Sequence, residues 1–215
     1  MKKLGIGCGI AAVLGLIVLF VVLAAGGSYN RLVRLGQGVD AQWAQVENVY
    51  QRRADLIPNL VATVSGAANF EKSTLTEITA ARASVGQVKL DPNSAPTDPA
   101  KLAEFDRAQG QLSSALSRLL VVVERYPELK ANANFVALQA QLEGTENRIS
   151  VERGRFNEAV QAYDTAVKSF PAVFYAGFFG FKERPYFAAT PGSEKPPKVQ
   201  FDFNKPGPAP AAEKP

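Results

Sequence analysis

Phe135-Val136-Ala137-Leu138-Gln139-Ala140-Gln141-Leu142-Glu143-Gly144-Thr145-Glu146-Asn147-Arg148-Ile149-Ser150-Val151-Glu152-Arg153-Gly154-Arg155-Phe156-Asn157-Glu158-Ala159-Val160-Gln161-Ala162-Tyr163 is the stretch that decides the fold. Its apolar residues, Phe135, Leu138, Leu142, Ile149, Phe156, Val160 and Tyr163, continued by Val167 and Phe170, recur in steps of three, four and seven. That period puts them on one stripe of an α-helix and leaves the charged residues on the other side. Pro171 ends the run.

Three more runs with the same period lie upstream. Tyr29, Leu32, Gly36, Val39, Trp43, Val46 and Tyr50 form the first. Ile57, Leu60, Val64, Ala68, Leu75, Ile78 and Val85 form the second, with Glu71 interrupting the apolar series. Between them, Asp55 is placed to cap a new helix with Pro58 in its first turn; alternatively one helix runs through with a kink at Pro58. Residues 89–100 hold Asp91-Pro92-Asn93, Pro96 and Pro99, which is turn chemistry. Leu102, Phe105, Leu112, Leu116, Leu119 and Val123 make the third run. It stops at Tyr126-Pro127, where the proline pushes its predecessor out of the helical region. No period-two alternation is sustained. Four amphipathic segments on short connections predict an all-α fold, an up-and-down antiparallel bundle of about four helices.

The bundle is read as standing behind one N-terminal transmembrane helix. Leu4 to Asn30 carries no charge, and Leu4–Gly27 is apolar or glycine almost throughout. At ~1.5 Å per residue this run makes about 36 Å of helix, more than the ~30 Å hydrocarbon core. Ala24-Ala25-Gly26 would suit a signal peptidase, but a signal's apolar region is shorter. Cys8 precedes most of the apolar run rather than following it, which excludes a lipoprotein reading. Gly5, Gly9, Ala11 and Gly15 leave a small-residue face. Lys2 and Lys3 before the span, against Arg31 and Arg34 after it, favour a cytoplasmic N-terminus and a bundle outside the cytoplasm. The expected organisation is an anchor over 1–27, a bundle over 28–171, an aromatic-rich segment over 172–187 and a Pro-rich disordered tail over 188–215. Within that tail Val199-Gln200-Phe201-Asp202-Phe203 alternates and suits either a short strand docked on a partner or a loose apolar patch.

Composition removes much chemistry. The 215 residues hold no His and one Cys. A Ser-His-Asp or Cys-His triad, a His-ligated metal and a cysteine zinc site are therefore out of reach within this chain. A net charge of +4 is spread over 24 basic and 20 acidic residues that interleave along every segment, so no nucleic-acid footprint is predicted. No phosphate loop is present. Glu143, Glu146 and Glu152 survive as a candidate carboxylate site, but Arg148 and Arg155 stand at helical spacing from Glu152, and ion pairing explains them. No cofactor, metal or catalytic residue is assigned.

The ordered blocks resemble the LemA family. They are Tyr29-Asn30 after the apolar run, Trp43, Arg53-Ala54-Asp55-Leu56-Ile57-Pro58-Asn59-Leu60-Val61, Glu71, Ala81-Arg82, Tyr126-Pro127-Glu128-Leu129-Lys130-Ala131, Thr145-Glu146-Asn147-Arg148-Ile149, Arg153, Phe156-Asn157 and Phe170-Pro171. Asp164 departs from the pattern, which has an Asn after the tyrosine. The resemblance implies a single-pass bacterial membrane protein with a helical bundle; it implies no biochemical activity.

Candidate interaction or network residues follow. Glu146, Asn147, Arg148, Arg153 and Asn157 form a polar stretch in a core-forming helix, read first as an inter-helix network and second as a partner surface. The block Arg52-Arg53-Ala54-Asp55 is read as a tether for Tyr126-Pro127-Glu128 across one bundle end, or as a solvated turn, and Asn59 is a further candidate interaction or network residue. The aromatic segment offers Phe174, Phe178, Phe179 and Phe181 for membrane contact or self-association. It packs on the bundle, on the bilayer interface or on another subunit. Expected partners are membrane lipid through the span, an unidentified protein and a second copy of the chain. The favoured function is a non-enzymatic membrane-anchored scaffold; the alternative is an envelope-remodelling factor that oligomerises on the bilayer through its aromatic segment.

Overall fold

The computed structural model describes residues 2–66, 70–91 and 94–188; the side chains of 2–13 and 17–25 lie outside that description. Among the described residues there are five α-helices, one 3-10 turn and no strand. Helix α1 spans Lys2–Ser65, α2 Lys72–Gln87, α3 Pro99–Val123, α4 Pro127–Lys130 and α5 Ala133–Lys168, with the 3-10 turn at Ala172–Phe174. Among the described residues no helix is long and apolar enough to cross a membrane. The side chains of most of the expected anchor lie outside the description, and the expected tail beyond Ala188, with its alternating stretch at 199–203, lies outside the described residues altogether.

Of the two readings of the Pro58 block, the through-running helix holds and the new helix capped at Asp55 does not: α1 continues past Pro58 to Ser65. Proline removes the N–H that would bond the carbonyl four residues back. That carbonyl, of Ala54, instead accepts a hydrogen bond from Arg82 Nε at 3.0 Å. The second apolar run therefore divides later, with Ile57, Leu60 and Val64 on α1 and Leu75, Ile78 and Val85 on α2. Other boundaries follow local chemistry. Asp98 caps α3 by accepting from Ala100 N at 2.8 Å, with Pro99 in the first turn, where its missing N–H costs nothing. Asn132 caps α5 by accepting from Asn134 N at 2.9 Å and Phe135 N at 3.2 Å. Tyr126, ahead of Pro127, leaves the helical region at φ −122° and ψ 83°.

The topology is up-down-up-down, with α1 packed along α5 and α2 along α3. Gln42 meets Glu152 and Arg53 meets Glu146, so α1 and α5 are antiparallel. Glu77 pairs with Arg118 and Glu71 with Arg125, so α2 and α3 are antiparallel too. The core has two parts. At the end nearer Tyr29, an aromatic cluster joins Trp43, Tyr50, Phe105, Phe156 and Phe187. At the far end, an aliphatic cluster joins Ile57, Leu60, Ile78, Leu112 and Leu119 to Phe135. Beyond α5 the chain turns at Gly180, whose φ of +81° needs a residue without a Cβ. Residues 182–188 then run back along α5 as an extended strap.

Candidate functional site

Arg53 is the centre of the site. Its side chain is 2% exposed, held by α1 between α3 and α5. Nη1 donates to Ser113 Oγ at 2.8 Å and to Glu146 Oε2 at 2.9 Å. Nη2 donates to the Gln109 carbonyl at 3.3 Å and to Gln109 Oε1. The guanidinium lies 5.1 Å from the Tyr50 ring centroid. Further along α5, Arg153 pairs with Asp106 Oδ1 at 2.8 Å and donates to the Ala188 carbonyl at 3.3 Å. It also covers the Phe187 ring at 4.4 Å, a cation–π contact. Burial pushes the Tyr50 hydroxyl pKa up, opposed by the charges of Arg153 and Arg53.

Asn157 completes the line. Its amide oxygen accepts from Phe187 N at 2.9 Å while its Nδ2 donates to the Phe187 carbonyl at 3.1 Å. A side-chain amide presents the same donor and acceptor as a peptide group, so it pins the strap where secondary structure would otherwise be needed. The strap's Arg184 donates from Nη1 to the Ala95 carbonyl at 2.7 Å, and its backbone N–H reaches Asp164 Oδ1 at 3.0 Å. Asp164 is buried, which pushes its carboxyl pKa up.

Glu146, Arg153 and Asn157 thus share one face of α5, while Asn147 and Arg148 are exposed. The inclusion of those two in an inward network is corrected. At about 100° per residue they are rotated away from the Glu146 face. The expected tether from Arg53 and Asp55 to Tyr126 is corrected as well. Arg53 turns into the α3–α5 groove, and exposed Asp55 accepts from Gln51 at 2.8 Å. Tyr126 packs on Phe70 at the far end, ring centroids 5.0 Å apart. Asn59 is exposed; its backbone carbonyl accepts from Thr63 Oγ1 at 2.8 Å.

The aromatic segment divides by depth. Ala172, Ala176 and Phe187 are buried in the core, and Phe181 is half-buried against Tyr29. Phe174, Phe178 and Phe179 remain exposed.

Sequence reasoning missed the α3 side of the site: Asp106, Gln109 and Ser113. Their spacing of three and four places them on one edge of the Leu102–Phe105–Leu112 stripe, which was the available signal. It also missed the Asp164–Arg184 contact.

Between α3 and α5 lies an open cleft of about 760 Å³, walled by Asp106, Arg107, Ser114 and Glu146 and closed at one end by Tyr186 and Phe187. A smaller cavity of about 170 Å³ continues it towards Leu60, Leu116 and Leu142. The pair offers charged and amide groups at one end and aliphatic surface at the other, a surface suited to binding. Among the described residues no group of three or more His, Cys, Asp or Glu is placed to hold a metal ion.

The family model described as LemA family matches residues 42–201. Magnetosome protein MamQ of Magnetospirillum gryphiswaldense is 28% identical over 183 residues, 78% of this chain and 67% of that protein. Magnetosome protein MamQ 2 of Paramagnetospirillum magneticum is 27% identical over the same shares. Protein LemA of Metamycoplasma hominis is 22% identical over 160 residues, 71% of this chain and 68% of that protein. The family match runs from the first aromatic of the core, Trp43, through the Arg53 site and past the strap, and on it the chain belongs to the LemA family.

Proposed function

We propose that this protein is a membrane-anchored helical scaffold of a bacterial inner membrane, with no enzymatic role, whose α3–α5 cleft receives a polypeptide segment of a protein partner. One observation carries the reading: α1 is a single helix from Lys2 to Ser65, so the apolar run at Leu4–Gly27 and the bundle belong to one rod of about 96 Å. A rod without a linker fixes the cleft's height and direction relative to the bilayer. The cleft then presents Arg107, Gly110 and Ser114 at its rim over the buried Arg53. That arrangement suits recruitment, because the floor is already hydrogen-bonded and the rim is free to contact another chain. We put the N-terminus in the cytoplasm and the bundle outside it, reading Lys2 and Lys3 before the run against Arg31 and Arg34 after it.

The experiment is a photo-crosslinking residue placed at Ser114 in the full chain, with a control at Val151 on the exposed side of α5. Alkaline extraction should leave the protein in the membrane pellet, and ultraviolet light should give a discrete adduct from position 114 alone. Release into the supernatant overturns the anchor. Equal adducts at both positions, or none, overturn the cleft as the recruiting surface.

A second reading, an envelope-remodelling factor that oligomerises on the bilayer, is supported by the exposed Phe174 and Phe178.

A further inference from the structure

The most exposed apolar surface among the described residues lies at one end of the bundle. Phe170, Phe174 and Phe178 are 82%, 81% and 88% exposed, with Val173 at 54% and Phe179 at 56%. These side chains form a ridge of paired rings. Phe170 and Phe174 stand edge to face at 6.0 Å, and Phe178 and Phe179 at 5.3 Å. An apolar ridge of this kind needs a cover.

Its position identifies the cover. Phe179 and Phe181 both pack on Tyr29, at 5.4 Å and 5.3 Å. Gly26 and Tyr29 line one hollow with Tyr175 and Phe179. Tyr29 lies two residues, about 3 Å, beyond the last residue of the apolar run. A run of about 36 Å exceeds the ~30 Å hydrocarbon core, so its final turn lies in the headgroup layer, level with the ridge. Aromatic rings are favoured at that depth because their faces meet acyl chains while their edges tolerate the hydrated layer. Arg31, Arg34 and Lys182 are exposed at the same end. A second copy seated here would bring those cations together, whereas anionic headgroups would pair with them.

We infer that the ridge of Phe170, Phe174, Phe178 and Phe179 is a lipid-binding surface seated at the headgroup–acyl boundary of the membrane that the α1 rod enters, with Arg31, Arg34 and Lys182 on anionic headgroups. The inference rests on the anchor reading. It adds that the bundle leans on the bilayer by one defined side, which fixes its rotation about α1 as well as its height.

The test uses the full chain carrying Phe178→Trp, reconstituted into phosphatidylcholine–phosphatidylglycerol vesicles with bromine near either end of the acyl chain. Phe178 is almost fully exposed, so the substitution leaves the fold alone. Trp43 is buried, about 21 Å further along α1 than Tyr29, and serves as the unquenched reference. The expected result is loss of most of the added emission with bromine near the headgroup, and a smaller loss with bromine near the terminal methyl. Emission unaffected by either bromine and reached by aqueous acrylamide overturns the inference. Blue-shifted, unquenched emission that reverts on dilution of protein in lipid overturns it in favour of a second copy. Co-flotation with vesicles separates these outcomes from failure of the anchor. A chain that does not float loses the anchor reading and this inference together. One that floats while the introduced indole stays unquenched loses this inference alone.

Discussion

Arg82 Nε donates to the backbone carbonyl of Ala54 at 3.0 Å, and Ala54 is the residue whose helical partner Pro58 removes. A defect in one helix is repaired by a side chain from the next. The block around Pro58 and the Ala81-Arg82 pair are thus two halves of one contact, which gives both a structural reason. The expected outcome is coupling. Arg82→Ala should cost about 1 kcal/mol in the natural chain, the worth of an exposed hydrogen bond. In a Pro58→Ala background the introduced alanine supplies the missing N–H to the Ala54 carbonyl, and the same change should cost much less. Chemical denaturation of the four proteins of a double-mutant cycle measures this, and additive costs would refute the repair.

The Arg53–Glu146 pair is lopsided, with Arg53 2% and Glu146 53% exposed. Removing the exposed partner should matter little: Glu146→Gln is expected to cost under about 1 kcal/mol, because solvent screens the carboxylate. Removing the buried partner should matter greatly. Arg53→Ala strands Gln109 and Ser113 and leaves a void, for about 3 kcal/mol or more. Arg53→Lys should fall nearer to alanine than to arginine, because one ammonium cannot serve acceptors on both α3 and α5. Thermal melts of the three variants at one pH test the ordering.

Much of this was legible in the sequence, and the limits have physical causes. The stripes Leu102–Val123 and Phe135–Val167 gave helices in the right places because burial on one face imposes a 3.6-residue period. The halt at Tyr126-Pro127 follows from a local steric rule. Pro58 left a break and a through-running helix equally open, because the tolerance of a mid-helix proline depends on Arg82, which belongs to a different helix. The polar face of α5 was found, but its inward members were not separated from Asn147 and Arg148, although steps of three and four from Ile149 set Glu146 and Arg153 beside the apolar stripe and leave the other two off it. The strap was hardest to read. Residues 182–188 have no period, and their place is set by side-chain contacts from Asn157 and Asp164.

Two phenylalanines of the same segment should behave oppositely. Phe187 stacks on Trp43 at a centroid distance of 6.0 Å and meets Phe156 at 5.5 Å, and it is 5% exposed. Phe187→Ala should cost about 3–5 kcal/mol, the usual range for a buried aromatic. Phe178 is 88% exposed and its ring contact is with Phe179, itself exposed, so Phe178→Ser should leave detergent-solubilised stability within about 0.5 kcal/mol. Removing everything after residue 171 should resemble the first change, so a shortened chain is a poor probe of the aromatic surface. Denaturation midpoints of the variants distinguish these cases.

Asp164 gives a pH test with a defined sign. Its carboxyl is raised chiefly by burial and further by Glu183, while the Arg184 N–H, Lys168 and Tyr186 oppose the rise without cancelling it. The folded protein therefore binds a proton more tightly at this position than the unfolded chain does. Stability associated with Asp164 is greatest in acid, falls as pH rises past the ordinary aspartate range, and stays low once pH passes the raised folded value. Asp164→Asn keeps an oxygen for the Arg184 N–H and carries no charge to bury. The variant should be more stable than the natural chain at neutral pH, with the gap closing as pH falls through the raised carboxyl value. Denaturation at a series of pH values reads the difference directly. A gap independent of pH would show that packing, rather than the buried charge, separates the two residues. A less stable variant at neutral pH would show that the carboxylate's hydrogen bonds to the strap outweigh its desolvation, and that the asparagine of the family pattern is the poorer fit here.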